Sequence, residues 1–162
     1  MATGLGRVVG AAGFAYHRVM RVARRGRWPL TIGVRIIVRD GAGQVLLVKH
    51  TYAPGWHFPG GAIDPRETAA DAAARELREE ALIETTTTPV LFGVYLSLTE
   101  NKSDHIAVFT TDSWRVIGGR LRPLEIVEAK FFPIRDLPKG TTGGTRRRLA
   151  EILGEAEQSA QW

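Results

Sequence analysis

Residues 61–83, GAIDPRETAADAAARELREEALI, restrict the fold more than any other stretch of the chain. Within them Glu76, Glu79 and Glu80 recur at helical spacings of three and four, so a helix gathers their carboxylates on one face within about one turn. Like charges so placed weaken a helix by roughly 0.2–0.5 kcal/mol per pair. The cluster therefore asks for a positive partner. A solvated acidic face balanced by Arg75 and Arg78 is the competing account. Thr68 is a natural N-cap with Asp71 three residues on, while Asp64, Pro65 and Glu67 form a second start signal. Ala69, Ala72, Ala73 and Leu77 supply a small-residue inner face, which lets the helix lie close to a sheet.

The segments around this helix read mainly as strands. Residues 31–39 and 44–52 are β-branched and apolar, and the intervening DGAG is turn chemistry, which predicts a hairpin. A loop rich in Pro and Gly, PGWHFPGGAIDPRE, leads into the helix. Within it Trp56 and Phe58 flank His57 and are expected in the core. Residues 90–98 and 105–114 are further strands joined by the polar TENKSD turn, and residues 128–134 are another. A closing helix spans TRRRLAEILGEA, capped by Thr142 or Thr145, with Leu149, Ile152 and Leu153 turned inward. Strands mixed with helices and joined by frequent hairpins predict an α+β fold.

The chain has 162 residues, enough for one core, and no cysteine, which excludes disulfides, thiol catalysis and Cys-zinc sites. Its net charge of +5 is unevenly spread: the first acid is Asp40, and Arg7, Arg18, Arg21, Arg24, Arg25, Arg27, Arg35 and Arg39 come before it. Between residues 8 and 23, Val8, Ala12, Ala15, Val19 and Val22 alternate with arginines at helical spacing, which predicts a basic amphipathic helix. Such a helix packs on the domain with a solvated arginine face, or touches RNA or anionic lipid. No apolar run approaches the ~20 residues needed to cross a bilayer, and a cytoplasmic location is expected. The chain divides into a basic helical segment, 1–28, a main domain, 29–156, and a tail, 157–162.

Gly61, Glu67, Arg75, Glu76, Leu77, Glu79 and Glu80, at their spacings, fit the Nudix box, and the chain from about residue 31 to 153 resembles the Nudix hydrolases. WHFPGG ahead of the box and LEIVEAKFFPIRDLP late in the chain add to the likeness. The resemblance implies an α/β/α sandwich on a mixed sheet, preceded here by the basic helix. It implies a divalent-metal-dependent hydrolase of nucleoside diphosphates linked to another group. Clustered carboxylates are hard oxygen ligands suited to Mg²⁺ or Mn²⁺. By the same resemblance Glu79 and Glu80 are the principal metal ligands, Glu76 a further ligand or the general base, and the Gly60 carbonyl another ligand. Arg75 pairs with Glu67 to tie loop to helix. Glu125 is the candidate acid outside the box, ahead of Glu128, Glu100 and Asp104. Lys49 and Arg35, on neighbouring predicted strands, are placed to meet phosphate oxygens, although solvated strand charges account for them equally well. His50, His57 and His105 lack metal-ligand spacing and read as surface or strand histidines.

One position departs from the box. Leu82 stands where the family has a glycine suited to a left-handed helix end, so a differently shaped exit is expected. Substrate choice lies outside the box; a modified nucleoside triphosphate, a nucleotide sugar, a dinucleoside polyphosphate and capped or triphosphorylated RNA all stay open, as does a homodimer. A Nudix-fold module that binds nucleotide or RNA with little hydrolysis is the alternative.

Overall fold

A computed structural model of the protein describes residues 30–99, 102–121 and 124–162. The basic segment 1–28, its predicted helix and Glu100 lie outside the described residues. In chain order the elements are β1 (Leu30–Val38), β2 (Gln44–His50), α1 (Ala69–Ala81), β3 (Ile83–Thr85), β4 (Val90–Thr99), β5 (Lys102–Thr111), β6 (Trp114–Val116), β7 (Ile126–Pro133) and α2 (Gly143–Ile152). The fold is α+β. One sheet has the order β1-β5-β4 and is mixed, with β1 parallel and β4 antiparallel to β5. β2 pairs with β7 and β3 with β6, both antiparallel.

Alternation along the strands sorts two cores onto opposite faces. Val34, Ile36 and Val38 of β1 and Leu46 of β2 pack with Ala72, Ala73 and Leu77 of α1. Ile37, Val45 and Leu47 face the other way, toward Leu149 of α2, and there they meet Trp56, Phe58 and Tyr95. The strands are thus layered between the two helices, and the alanine face of α1 allows its close approach. Among the described residues no helix is long and apolar enough to cross a membrane.

The hairpin expected from residues 31–39 and 44–52 forms only at its turn. Asp40 Oδ1 accepts from the Ala42 and Gln44 amides at 2.9 and 2.8 Å, and Arg39 bridges Val45. Beyond that point the Pro/Gly loop enters between the strands. It gives Pro59 O and Gly61 O to the amides of Ile36 and Val34, both at 2.9 Å, and pairs His57 with Val48 on the other side. Each strand then completes its hydrogen bonds in a different sheet, as buried backbone groups require. This wedge brings the loop beneath α1.

Thr68, not Asp64, caps α1, its Oγ1 accepting the Asp71 amide at 3.2 Å. The helix exit corrects the sequence reading: Leu82 adopts the left-handed conformation (φ 55°, ψ 38°) without being glycine. That geometry costs about 1–2 kcal/mol for an L side chain. The Leu82 amide bonds to Arg78 O at 3.1 Å and its carbonyl accepts from Ile117 at 2.8 Å, so the exit is fixed by the β3–β6 pair that follows. On α2, Leu149 is buried and Ile152 half-buried, but Leu153 is exposed, contrary to its expected inward place. Leu153 is the C-cap, at the end of the helix beyond the part that packs on the sheet. Arg148 is instead the fully buried residue of that face.

Candidate active site

Glu80 and Glu76 project from α1 toward the loop that the wedge has brought beneath it. Glu80 Oε2 accepts the Gly60 amide at 2.9 Å, and the residue is 7% exposed. Burial pushes its carboxyl up to about 7, and Glu76 and Glu125 add to the rise; the Gly60 hydrogen bond and the Arg35 charge oppose it. Glu76 lies against Gly61, where a Cβ would overlap its carboxylate. Burial raises its pKa as well, over the opposing pull of Arg75. Glu76 thereby explains Gly61, since its carboxylate fills the space of a side chain there, whereas at Gly60 that space is taken by the backbone of β1.

Arg75 crosslinks the cluster. Its Nε and Nη2 donate to the two oxygens of Glu67 at 2.9 and 3.0 Å, Nη2 donates to Ala62 O at 2.9 Å, and Nη1 donates to Glu76 Oε1 at 2.8 Å. Glu79 Oε2 stands 3.4 Å from the same Nη1. Hydrogen bonding from Arg75, then from the Asp64 amide, holds the Glu67 carboxyl below its usual range. Arg35, from β1, donates through Nη1 to Gly60 O. Among the described residues no three carboxylate or imidazole groups converge tightly enough to enclose an ion as they stand. Arg75 holds oxygens of Glu67 and Glu76, the Gly60 amide holds Glu80, and Arg35 holds the Gly60 carbonyl.

His50 has a closer place than its sequence spacing suggests. It is 5% exposed, and its Nδ1 is 3.6 Å from Glu80 Oε1 with no hydrogen-bond partner. Burial, then the charge of Arg35, pushes the imidazole down to about 4, so at neutral pH this is not an ion pair. No period-2 signal reaches it, because Val45 to Val48 are all buried and the β2–β7 register shifts between Lys49 and His50. Tyr52 covers it, ring centres 4.9 Å apart. Glu125 precedes β7; its carbonyl accepts the Thr51 amide at 3.0 Å and its charge acts on both Glu80 and His50. Lys49, by contrast, is exposed opposite Glu128 in the β2–β7 ladder. Asp104 accepts from Thr31 Oγ1 at 2.7 Å along the sheet.

The family model described as NUDIX domain matches residues 29–152. The chain belongs to the Nudix family. A MutT NUDIX hydrolase from Burkholderia pseudomallei, 24% identical, superposes with a TM-score of 0.69 over 76% of this chain and 98% of that one, which shows the shared fold. A Bacillus subtilis (strain 168) protein provisionally named an 8-oxo-dGTP diphosphatase is 48% identical over 50 residues, 31% of this chain and 34% of the relative. An RNA pyrophosphohydrolase of Pseudomonas savastanoi pv. phaseolicola is 47% identical over 51 residues, 32% of each. The chain thus spans about a third of the length of these curated relatives.

The Nudix loop is expected to tolerate no side chain at position 60. Gly60 has φ 149°, and a Cβ there would overlap Val34 O. Gly60→Ala should cost about 3 kcal/mol, because it adds backbone strain and drives the loop off β1. A urea titration would measure the loss; an unchanged midpoint would contradict it.

Proposed function

We propose that this Nudix protein is a divalent-metal-dependent hydrolase that cleaves the diphosphate bond of a nucleoside diphosphate linked to another moiety. One observation carries the reading: two desolvated carboxylates, Glu76 and Glu80, back onto the main chain of Gly60 and Gly61 beside a third, Glu79, at the next position of the helix face. The buried carboxylates of Glu76 and Glu80, both of raised pKa, are hard oxygen donors of the kind a dication takes, and they would have to draw together around it. Glu76, Glu79, Glu80 and the Gly60 carbonyl would hold Mg²⁺ or Mn²⁺, with Glu125 as a further acid nearby. Bound there, the cation would screen the diphosphate and make its phosphorus more electrophilic.

The chain's own groups supply the rest. Arg75 and Glu67 fix loop to helix, so that Glu76 keeps its orientation as ligand or as base toward the attacking water. Buried His50, beside Glu80, forms the inner wall of the site. Arg35, beside Gly60, is the cation offered to phosphate oxygens, whereas Lys49 stands apart opposite Glu128. The names of the two curated relatives make 8-oxo-dGTP and RNA the first substrates to try. The test is product analysis over a panel of both, together with nucleotide sugars and dinucleoside polyphosphates, with Mg²⁺ or Mn²⁺ and again with EDTA. Hydrolysis of at least one member, lost entirely in EDTA, is expected. No turnover anywhere would refute the enzyme, and RNA retention without hydrolysis would favour the binding module that the arginine-rich start suggests.

A further inference from the structure

Arg35 stands at the junction of two spaces. Its guanidinium donates to Gly60 O, beside the carboxylates. Arg35 also borders a cavity of about 350 Å³ with Thr31, Gly33, Gly61 and Asp104. That cavity runs along the edge of β1, where Gly61 O accepts the Val34 amide at 2.9 Å and Gly33 pairs with Ala62. Its wall is therefore continuous with the loop that backs Glu76 and Glu80.

The two arginines of the site differ in how they are held. Arg75 is fixed by Glu67 at two points and by Ala62 O. Among the described residues, Arg35 has the Gly60 carbonyl as its hydrogen-bond partner. A dication drawn to that carbonyl would sit within a few ångströms of the guanidinium, and a double and a single charge so close repel by several kcal/mol even at an effective dielectric near 20. We propose that Arg35 is an exchangeable counter-cation: it holds Gly60 O in the metal-free protein, and a divalent ion displaces it into the adjoining cavity, where it meets substrate phosphate. The inference rests on the hydrolase reading above. It makes metal and diphosphate binding mutually reinforcing, because the ion releases the residue that the anion then engages, and such coupling is reciprocal.

The test is Mn²⁺ binding followed by electron paramagnetic resonance, with and without methylenediphosphonate as a non-hydrolysable diphosphate probe, in wild type, Arg35→Gln and Arg35→Lys. Arg35→Gln should bind Mn²⁺ alone roughly threefold tighter, and the probe should tighten Mn²⁺ binding roughly tenfold less than in wild type. Arg35→Lys, which keeps the charge on a single point donor, should fall between the two. Equal coupling in wild type and Arg35→Gln, or weaker Mn²⁺ binding by Arg35→Gln alone, overturns the exchange and leaves the hydrolase reading standing. A wild type that binds no Mn²⁺ overturns both. If Arg35→Gln does not fold, the Arg35 Nε–H resonance, assigned by its loss in Arg35→Lys, decides in the wild type: it should shift on Mg²⁺ addition, and a stationary signal overturns the exchange.

Discussion

Glu80→Gln is expected to cripple hydrolysis and yet make the metal-free protein more stable at pH 8. Glu80 is 7% exposed, and burial lifts its carboxyl to about 7 from an ordinary value near 4.5. Between these two values the folded chain holds a proton that the unfolded chain has released, so stability falls as pH rises from about 4.5 through about 7. At pH 8 the whole penalty is present, on the order of 3 kcal/mol. Glutamine removes the charge but keeps an oxygen that accepts the Gly60 amide. In EDTA at pH 8 the variant should therefore melt higher than wild type, and the gain should vanish by pH 4. Saturating Mg²⁺ should reverse the order, because an ion at a thousand times its dissociation constant stabilises the wild type by about 4.1 kcal/mol. Turnover should fall roughly a thousandfold, the several kcal/mol of charge stabilisation that a missing ligand forfeits. Melting in EDTA and in Mg²⁺ at both pH values checks all of this. A variant less stable than wild type in EDTA at pH 8 would mean that the carboxylate is structural and not a metal-free liability.

The carboxylate cluster was legible in the sequence because a helix is a local object. Spacings of three and four settle which residues share a face, and Thr68 settles where the helix begins. The surroundings of the cluster were not legible, because they are set by contacts between residues far apart in the chain. The turn at Asp40 could be read, but the splitting of β1 from β2 by residues 57–61 depends on the loop supplying better hydrogen bonds than the two strands give each other. His50 and Arg35 reach the site through that wedge. The left-handed Leu82 went the same way: residue preference favoured a different exit, and the β3–β6 pair overrode it. At the other end of the molecule, α2 was readable as a helix from its apolar spacing, but its most buried side chain is an arginine, which no hydrophobic pattern would nominate.

That arginine carries the largest stability effect expected outside the site. Arg148 is fully buried, with its guanidinium 3.9 Å from the Tyr95 ring centre and 5.5 Å from that of Trp162. It donates to Gln161 O at 2.9 Å and pairs with Glu151, whose other contacts are the Tyr95 hydroxyl at 2.9 Å and the Ser159 amide at 3.0 Å. Residues 160–162 lie along β4, with the Leu96 amide donating to Ala160 O and the Trp162 amide to Leu96 O, both at 2.9 Å. One buried cation thus binds the end of the chain to the sheet. Arg148→Met should cost about 3–5 kcal/mol, because Glu151 would be left charged and buried without its partner. Adding Glu151→Gln should recover about 2 kcal/mol, since the second change removes the orphaned charge. Amide exchange should rise at Leu96 and Trp162 in the single variant, while turnover per folded molecule stays at the wild-type level, because α2 and the Nudix helix pack on opposite faces of the sheets. Urea titrations of both singles and the double measure the coupling. Strict additivity, or a loss below 1 kcal/mol in Arg148→Met, would show the pair to be incidental to the fold.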